Sequence, residues 1–114
     1  MDSETLVRAY YQALDEQEYQ QLMEVLCPEF VHERPDRTIS GRKSFIKFMR
    51  YNRPDTDTTH RITSLFINSD GHVAAQGTLM RNDNTIWFRF VDVFMIEAEN
   101  IHSLITYTDK HPSQ

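Results

Sequence analysis

Residues 85–96 read Thr85-Ile86-Trp87-Phe88-Arg89-Phe90-Val91-Asp92-Val93-Phe94-Met95-Ile96 and alternate with a period of two. In an extended chain Phe88, Phe90, Asp92 and Phe94 share one face, and Trp87, Arg89, Val91, Val93 and Met95 share the other. Both faces are largely apolar, so this strand calls for cover on each side. On either side of it, strand-like runs span 60–68, 72–81 and 100–109. They are separated by Ser69-Asp70-Gly71, Asn82-Asp83-Asn84 and Glu97-Ala98-Glu99, of which Asp-Gly is the strongest hairpin signal. Links this short make the four strands antiparallel neighbours in a meander.

Upstream of residue 59 the period is helical. Leu6, Val7, Tyr10, Tyr11 and Leu14 fall on one helix face, with Ser3 placed to cap it and Glu4 suited to its positive end. Tyr19, Leu22, Met23 and Leu26 form a second amphipathic stretch, which Cys27-Pro28 stops because the residue before proline avoids the helical region. Residues 30–34 read as a short strand, broken by Pro35-Asp36-Arg37 and expected to pair at one edge of the sheet. Ser40-Gly41 opens a third helix with Phe45, Phe48 and Met49 inward, and Pro54 closes it. Helices first and a meander second is an α+β pattern in a single domain, 1–114, with a frayed tail from Lys110 to Gln114.

Composition sets the outer limits. At 114 residues and 13.5 kDa the chain can bury roughly two-thirds of its unfolded surface, enough for one core and a small pocket. Twelve Lys+Arg against 17 Asp+Glu give a net charge of −5, which argues against nucleic acid and anionic membranes as partners. One cysteine rules out an internal disulfide. Three glycines, at 41, 71 and 77, exclude the glycine-rich phosphate-binding motifs. No apolar run is long enough to cross a bilayer, and the acidic start Met1-Asp2-Ser3-Glu4 does not read as a signal peptide, so the cytoplasm is the expected location.

The element order resembles the NTF2-like superfamily, and more closely its SnoaL-like and ketosteroid-isomerase-like branch. The resemblance is carried by Arg8-Ala9-Tyr10-Tyr11-Gln12-Ala13-Leu14-Asp15, Phe30-Val31-His32-Glu33-Arg34-Pro35, Ser40-Gly41-Arg42-Lys43-Ser44-Phe45 and Phe90-Val91-Asp92-Val93-Phe94 followed by Asn100-Ile101 and Tyr107. It covers nearly the whole chain through patterns of spacing. It implies a cone in which three N-terminal helices pack in the concave face of a strongly bent antiparallel sheet, leaving a cavity at the open end. It also implies a homodimer through the sheet's outer face, which agrees with the two-faced strand above and puts Trp87, Arg89 and Val91 at or near the interface.

Asp92 is the sharpest chemical feature, a carboxyl between Phe90 and Phe94 on an aromatic face. Burial there resists ionisation, and a protonated carboxyl can donate to a developing oxyanion. The ketosteroid isomerases pair such an Asp with a Tyr, and Asp92 and Tyr10 match that pair, Tyr10 lying five residues before Asp15. The structural alternative is an ion pair with Arg34. The isomerases carry their general base before the proline of the first strand. Here Arg34-Pro35 stands there, and an arginine cannot take a proton from carbon, so steroid-type isomerisation is not expected. Arg34 instead favours an anionic group, or a salt bridge to Asp36, Glu33 or Asp92.

His32 shares a strand face with Arg34 and is a candidate base, with Asp36 as a possible orienter; a hydrogen-bonded core histidine is the plainer fate. For Tyr10 the core reading comes first, since a tyrosine on an apolar helix face is most often a core residue with its hydroxyl at the edge. Phe45, Phe48, Met49, Phe88 and Phe90 are candidate cavity walls or simply core. The epoxide-hydrolase branch needs an Arg two residues before the strand Asp, and Phe90 stands there; the polyketide-cyclase branch, with an Asp acid/base in an apolar cavity, is the more permissive match. Asp55, Asp57 and His60 suggest a metal only weakly, since carboxylates in a threonine-rich loop are usually solvated; no metal and no cofactor are expected. Two readings follow. One is a small enzyme doing isomerase- or cyclase-type acid/base chemistry on a small carbonyl or acid compound, with Asp92, His32 and Tyr10 catalytic. The other is a noncatalytic module that binds a small apolar or weakly acidic ligand or dimerises.

Overall fold

The computed structural model describes residues 1–110; the remainder of the expected frayed tail, residues 111–114, lies outside them. Three helices and six strands follow in the order α1 (Ser3–Asp15), α2 (Tyr19–Val25), β1 (Leu26–Glu33), β2 (Thr38–Ser40), α3 (Arg42–Lys47), a π-helical turn (Phe48–Asn52), β3 (Thr58–Ile67), β4 (Val73–Arg81), β5 (Ile86–Glu97) and β6 (Asn100–Thr108). All six strands form one curved sheet in the order β2-β1-β6-β5-β4-β3. The fold is α+β. Consecutive strands from β3 to β6 pair antiparallel, as the short links require.

The sheet as a whole is mixed, which corrects the all-antiparallel expectation. β1 runs parallel to β6, with His32 opposite Leu104. The edge belongs to β2, which hairpins onto β1 through Pro35-Asp36-Arg37 and sets Val31 opposite Ser40. A three-residue strand carries too little periodicity to read. Pro28 stops α2 as expected but sits inside β1, in the stretch between Leu26 and Val31 where the register with β6 shifts. A proline lacks the N–H that a regular ladder would use there.

Local chemistry explains the element ends. Asp2, rather than Ser3, caps α1: its carboxylate accepts from Thr5 N at 2.8 Å. Ser3 instead donates to the Gly71 carbonyl in the β3–β4 turn at 2.6 Å. The helix buries Leu6, Val7, Tyr10, Tyr11 and Leu14, the face its spacing predicts. It meets the sheet through aromatic edges, with Tyr10 and Tyr11 at 5.3 and 5.7 Å from Phe94. Gly77 on β4 allows the closest approach. A β-carbon there would lie 2.3 Å from the Arg61 carbonyl oxygen and 3.1 Å from the Phe90 ring, beside the β3 register shift between Ile62 and Ser64.

A second irregularity overturns one expectation. Leu79 pairs with Phe88 but Met80 pairs with Ile86, so Trp87 falls in a bulge. Trp87 and Phe88 are therefore both buried, and the Arg81 guanidinium lies 4.2 Å over the indole. Trp87 is not on the outer face. Arg89 and Val91 are exposed there, together with Met95 and Tyr107.

Candidate functional site

A cavity of about 80 Å³ opens between the sheet, α1 and the segment after α3. Tyr10, His32, Arg34, Met49, Phe88, Phe90 and Asp92 all line it. Phe45 and Phe48 do not. Phe45 is fully buried, packed edge-on against Phe30 at 4.9 Å, and Phe48 lies under the guanidiniums of Arg34 and Arg37, each 4.9 Å from its ring. The remaining wall includes Arg53, Asp55, Thr58, His60, Trp87 and Thr106.

Asp92 is buried on β5, opposite Ala75 on β4 and Thr106 on β6. Neither expected partner bonds to it. Tyr11 donates its hydroxyl to Oδ2 at 2.6 Å, and Thr106 donates to Oδ1 at 2.6 Å. Tyr10, one residue away on the helix, instead packs its ring near those of Phe45 and Phe94. Burial pushes the Asp92 carboxyl above the usual carboxylate range, against the pull of the Thr106 and Tyr11 hydrogen bonds and of the His60 and Arg34 charges. Burial, then the Asp92 charge, drives both tyrosine hydroxyls well above their ordinary range, so both stay protonated donors.

Arg34 is engaged by Asp36, Nε to Oδ1 at 3.2 Å. Burial alone would raise the Asp36 carboxyl, but Arg34 and Arg37 hold it below its usual value. His32 is buried, with Nε2 2.8 Å from the Thr106 hydroxyl and Nδ1 without a protein partner. Desolvation, then the nearby Arg34 charge, pulls its pKa down to about 3. It stays a neutral imidazole.

The pair that sequence reading missed is Asp15 and His60. The Asp15 carboxylate holds the His60 ring nitrogen Nδ1 at 2.6 Å through Oδ1 and accepts the His60 backbone N–H at 3.0 Å through Oδ2. This two-point contact fixes both ring and main chain. In the neutral ring, with Nδ1–H given to Asp15, the lone pair is on Nε2. His60 lines the cavity, and its ring is 5.0 Å from Tyr11 and 5.5 Å from Phe90. Asp15 ends α1 and His60 is the third residue of β3, so no local motif joins them across a separation of 45 positions. The signal present in sequence was the alternation of β3, which puts His60 and Ile62 on one face.

The expected loop reading of Asp55, Asp57 and His60 divides accordingly. Asp55 accepts from Asp57 N in a tight turn, and His60 belongs to the strand. Among the described residues, no three His, Cys, Asp or Glu side chains converge as a metal-ligand set. No helix among them is long and apolar enough to cross a membrane.

Comparison with known proteins agrees with this architecture. No curated protein matches the sequence. Solved structures match its fold. An NTF2-like protein of unknown function from Cytophaga hutchinsonii superposes with a TM-score of 0.82 at 16% identity, over 96% of this chain and 91% of that one. A Kribbella flavida protein assigned by name as a ketosteroid isomerase gives 0.76 at 18% identity, over 95% and 78%. A Shewanella denitrificans protein assigned by name as a SnoaL-like polyketide cyclase gives 0.77 at 17% identity, over 94% and 90%. At these identities the likeness concerns the fold. The family model of the SnoaL-like domain matches residues 7–104, nearly the whole chain, and the protein therefore belongs to the SnoaL-like domain family of the NTF2-like fold.

Proposed function

We propose that this protein carries out acid/base chemistry on a small carbonyl or acid compound, with the three helices inside the curve of the sheet closing its cavity. The observation that carries the reading is the Asp15–His60 pair, 2.6 Å apart, in which Asp15 holds from behind the histidine that lines the cavity with Asp92. Histidine suits proton transfer near neutral pH, and a carboxylate on Nδ1 orients Nε2 as the base. The base role considered for His32 passes to His60, because His32 is enclosed and spends Nε2 on Thr106. Tyr10 and Arg34 line the same cavity and supply a hydroxyl donor and a positive charge for a substrate oxygen. Asp92 stabilises the imidazolium that His60 becomes on taking the proton.

The test is proton exchange. The protein is incubated in D2O with 2-cyclohexenone or levulinate, and loss of the α-proton signal is followed by NMR. The wild type accelerates exchange, and His60→Gln and Asp15→Asn lose most of that acceleration. Absence of acceleration by the wild type would overturn the enzyme reading in favour of a noncatalytic ligand-binding module. The small cavity volume is the observation that favours that second reading. Against it, Asp92 is not tied down by Arg34.

The reading includes a cytoplasmic homodimer formed through the outer sheet face, where Val91, Met95 and Tyr107 are exposed. Stable interfaces bury on the order of 1,600 Å² in total. Sedimentation equilibrium at micromolar concentration tests this part: a dimer is expected for the wild type and a monomer for Val91→Lys. A monomeric wild type removes the dimer from the proposal.

A further inference from the structure

Four side chains form one continuous hydrogen-bonded chain: the buried Tyr11, Asp92 and His32, joined through the half-buried Thr106. The links are 2.6 Å from Tyr11 Oη to Asp92 Oδ2, 2.6 Å from Thr106 Oγ1 to Asp92 Oδ1, and 2.8 Å between Thr106 Oγ1 and His32 Nε2. Its far end is His32 Nδ1, buried and without a protein partner. The polarity of this chain follows from counting protons. The Tyr11 hydroxyl has one proton and gives it to Oδ2. The Thr106 hydroxyl has one and gives it to Oδ1. Thr106 can therefore only accept from His32, so the His32 proton sits on Nε2 and Nδ1 is a bare lone pair. Three donors meet three acceptors, and the single atom left over is an acceptor.

A further proton placed where Tyr11 or Thr106 donates strands a donor. Placed on Asp92 Oδ1, it turns the carboxyl onto Thr106. Then either the Thr106 hydroxyl proton has no protein acceptor, or it displaces the His32 proton to Nδ1, where no protein acceptor lies within reach. Placed on Oδ2, it turns the carboxyl onto Tyr11 and strands the phenolic proton. Orphaned buried donors are rarer in native structures than acceptors with a spare lone pair.

We infer that Thr106 and His32 are positioning residues that keep Asp92 an ionised, acceptor-only carboxylate, with His32 locked as the Nε2–H tautomer. Asp92 then meets the cavity as a hydrogen-bond acceptor. The ligand group it takes is a donor, a hydroxyl or an amine, in place of the oxyanion that a protonated carboxyl would serve. The substrate class narrows to small carbonyl or acid compounds that also carry such a donor. This narrowing rests on the acid/base reading of the cavity, whereas the hydrogen-bond polarity does not. The other charged and titratable groups facing Asp92 are Tyr10 from α1, Arg34 from the β1–β2 turn and His60 from β3, while Asp15 faces the Tyr10 and Tyr11 hydroxyls.

The test is NMR on isotopically labelled wild-type protein, with no ligand and no turnover. Two-bond proton–nitrogen correlation at pH 7 is expected to show His32 with Nε2 protonated and Nδ1 bare. The Asp92 carboxyl carbon is expected at its ionised shift at the same pH. Thr106→Val should release the tautomer lock and move the Asp92 midpoint to higher pH, and Thr106→Ser should restore both. A wild-type Nδ1–H tautomer, or an Asp92 carboxyl still protonated at pH 7, overturns the inference. If Thr106→Val does not fold, the two wild-type measurements decide alone. None of these readouts involves the Asp15–His60 pair, so the failure of either idea is distinguishable from that of the other.

Discussion

Tyr11 on the first helix donates its hydroxyl to Asp92 on the fifth strand at 2.6 Å, across 81 residues of sequence. The bond ties the helix to the sheet at the cavity and fills one of the two carboxyl oxygens. Removing it leaves a buried acceptor underserved, at a cost of about 1–3 kcal/mol. Tyr11→Phe is therefore expected to lower stability by that amount in urea titration. It should also shift the Asp92 carboxyl midpoint upward, since the lost bond favoured the charged form. Tyr10→Phe, which removes a hydroxyl not bonded to Asp92, should leave that midpoint nearly in place.

His32 makes the fold sensitive to acid. Its folded pKa is pulled to about 3, against about 6.5 for an unfolded histidine. The folded state binds this proton less readily than the unfolded chain. The histidine's contribution is therefore fully present above pH ~6.5 and is lost as pH falls towards 3. His32→Gln should flatten the decline in unfolding free energy across that window, measured by urea titration from pH 7 to pH 4. Parallel curves for the two proteins would contradict the assignment.

Gly77 is required by space rather than by backbone angle. A β-carbon there would meet the Arg61 carbonyl oxygen at 2.3 Å, and the obstacle is main chain that cannot rotate away. Gly77→Ala should cost about 1–3 kcal/mol, in the range of overpacked cores. The adjacent strand must move to admit the methyl group, so amide exchange in β3 near Ile62 should speed up more than exchange in β6.

The last hairpin turns through Ala98 and Glu99, with φ of 49° and 64°. Both are side-chain-bearing residues in the left-handed region, where glycine and asparagine are favoured. Glu99→Gly should raise stability by about 1 kcal/mol despite losing the exposed contact with the Met1 amine, and the thermal midpoint should rise accordingly.

The sequence by itself determined the three helices, the four meander strands and the core-facing side of the first helix. Alternation in β3 to β6, helical spacing from Leu6 to Leu14 and the stops at Pro28 and Pro54 are local patterns, set by how side chains project from a regular backbone. The short meander links settled the antiparallel order for the same reason. Asp92 was legible as a buried carboxyl because its neighbours at two-residue spacing are Phe90 and Phe94. Only the tertiary structure decided which partner Asp92 keeps. Tyr10 and Tyr11 are both buried on the helix face that meets the sheet, and the seating of α1 on β5 brings Tyr11 within reach. The parallel seating of β1 on β6, the bulge that turns Trp87 inward and the meeting of Asp15 with His60 have the same origin. Each depends on where two distant segments come to rest, and local periodicity carries no record of that register.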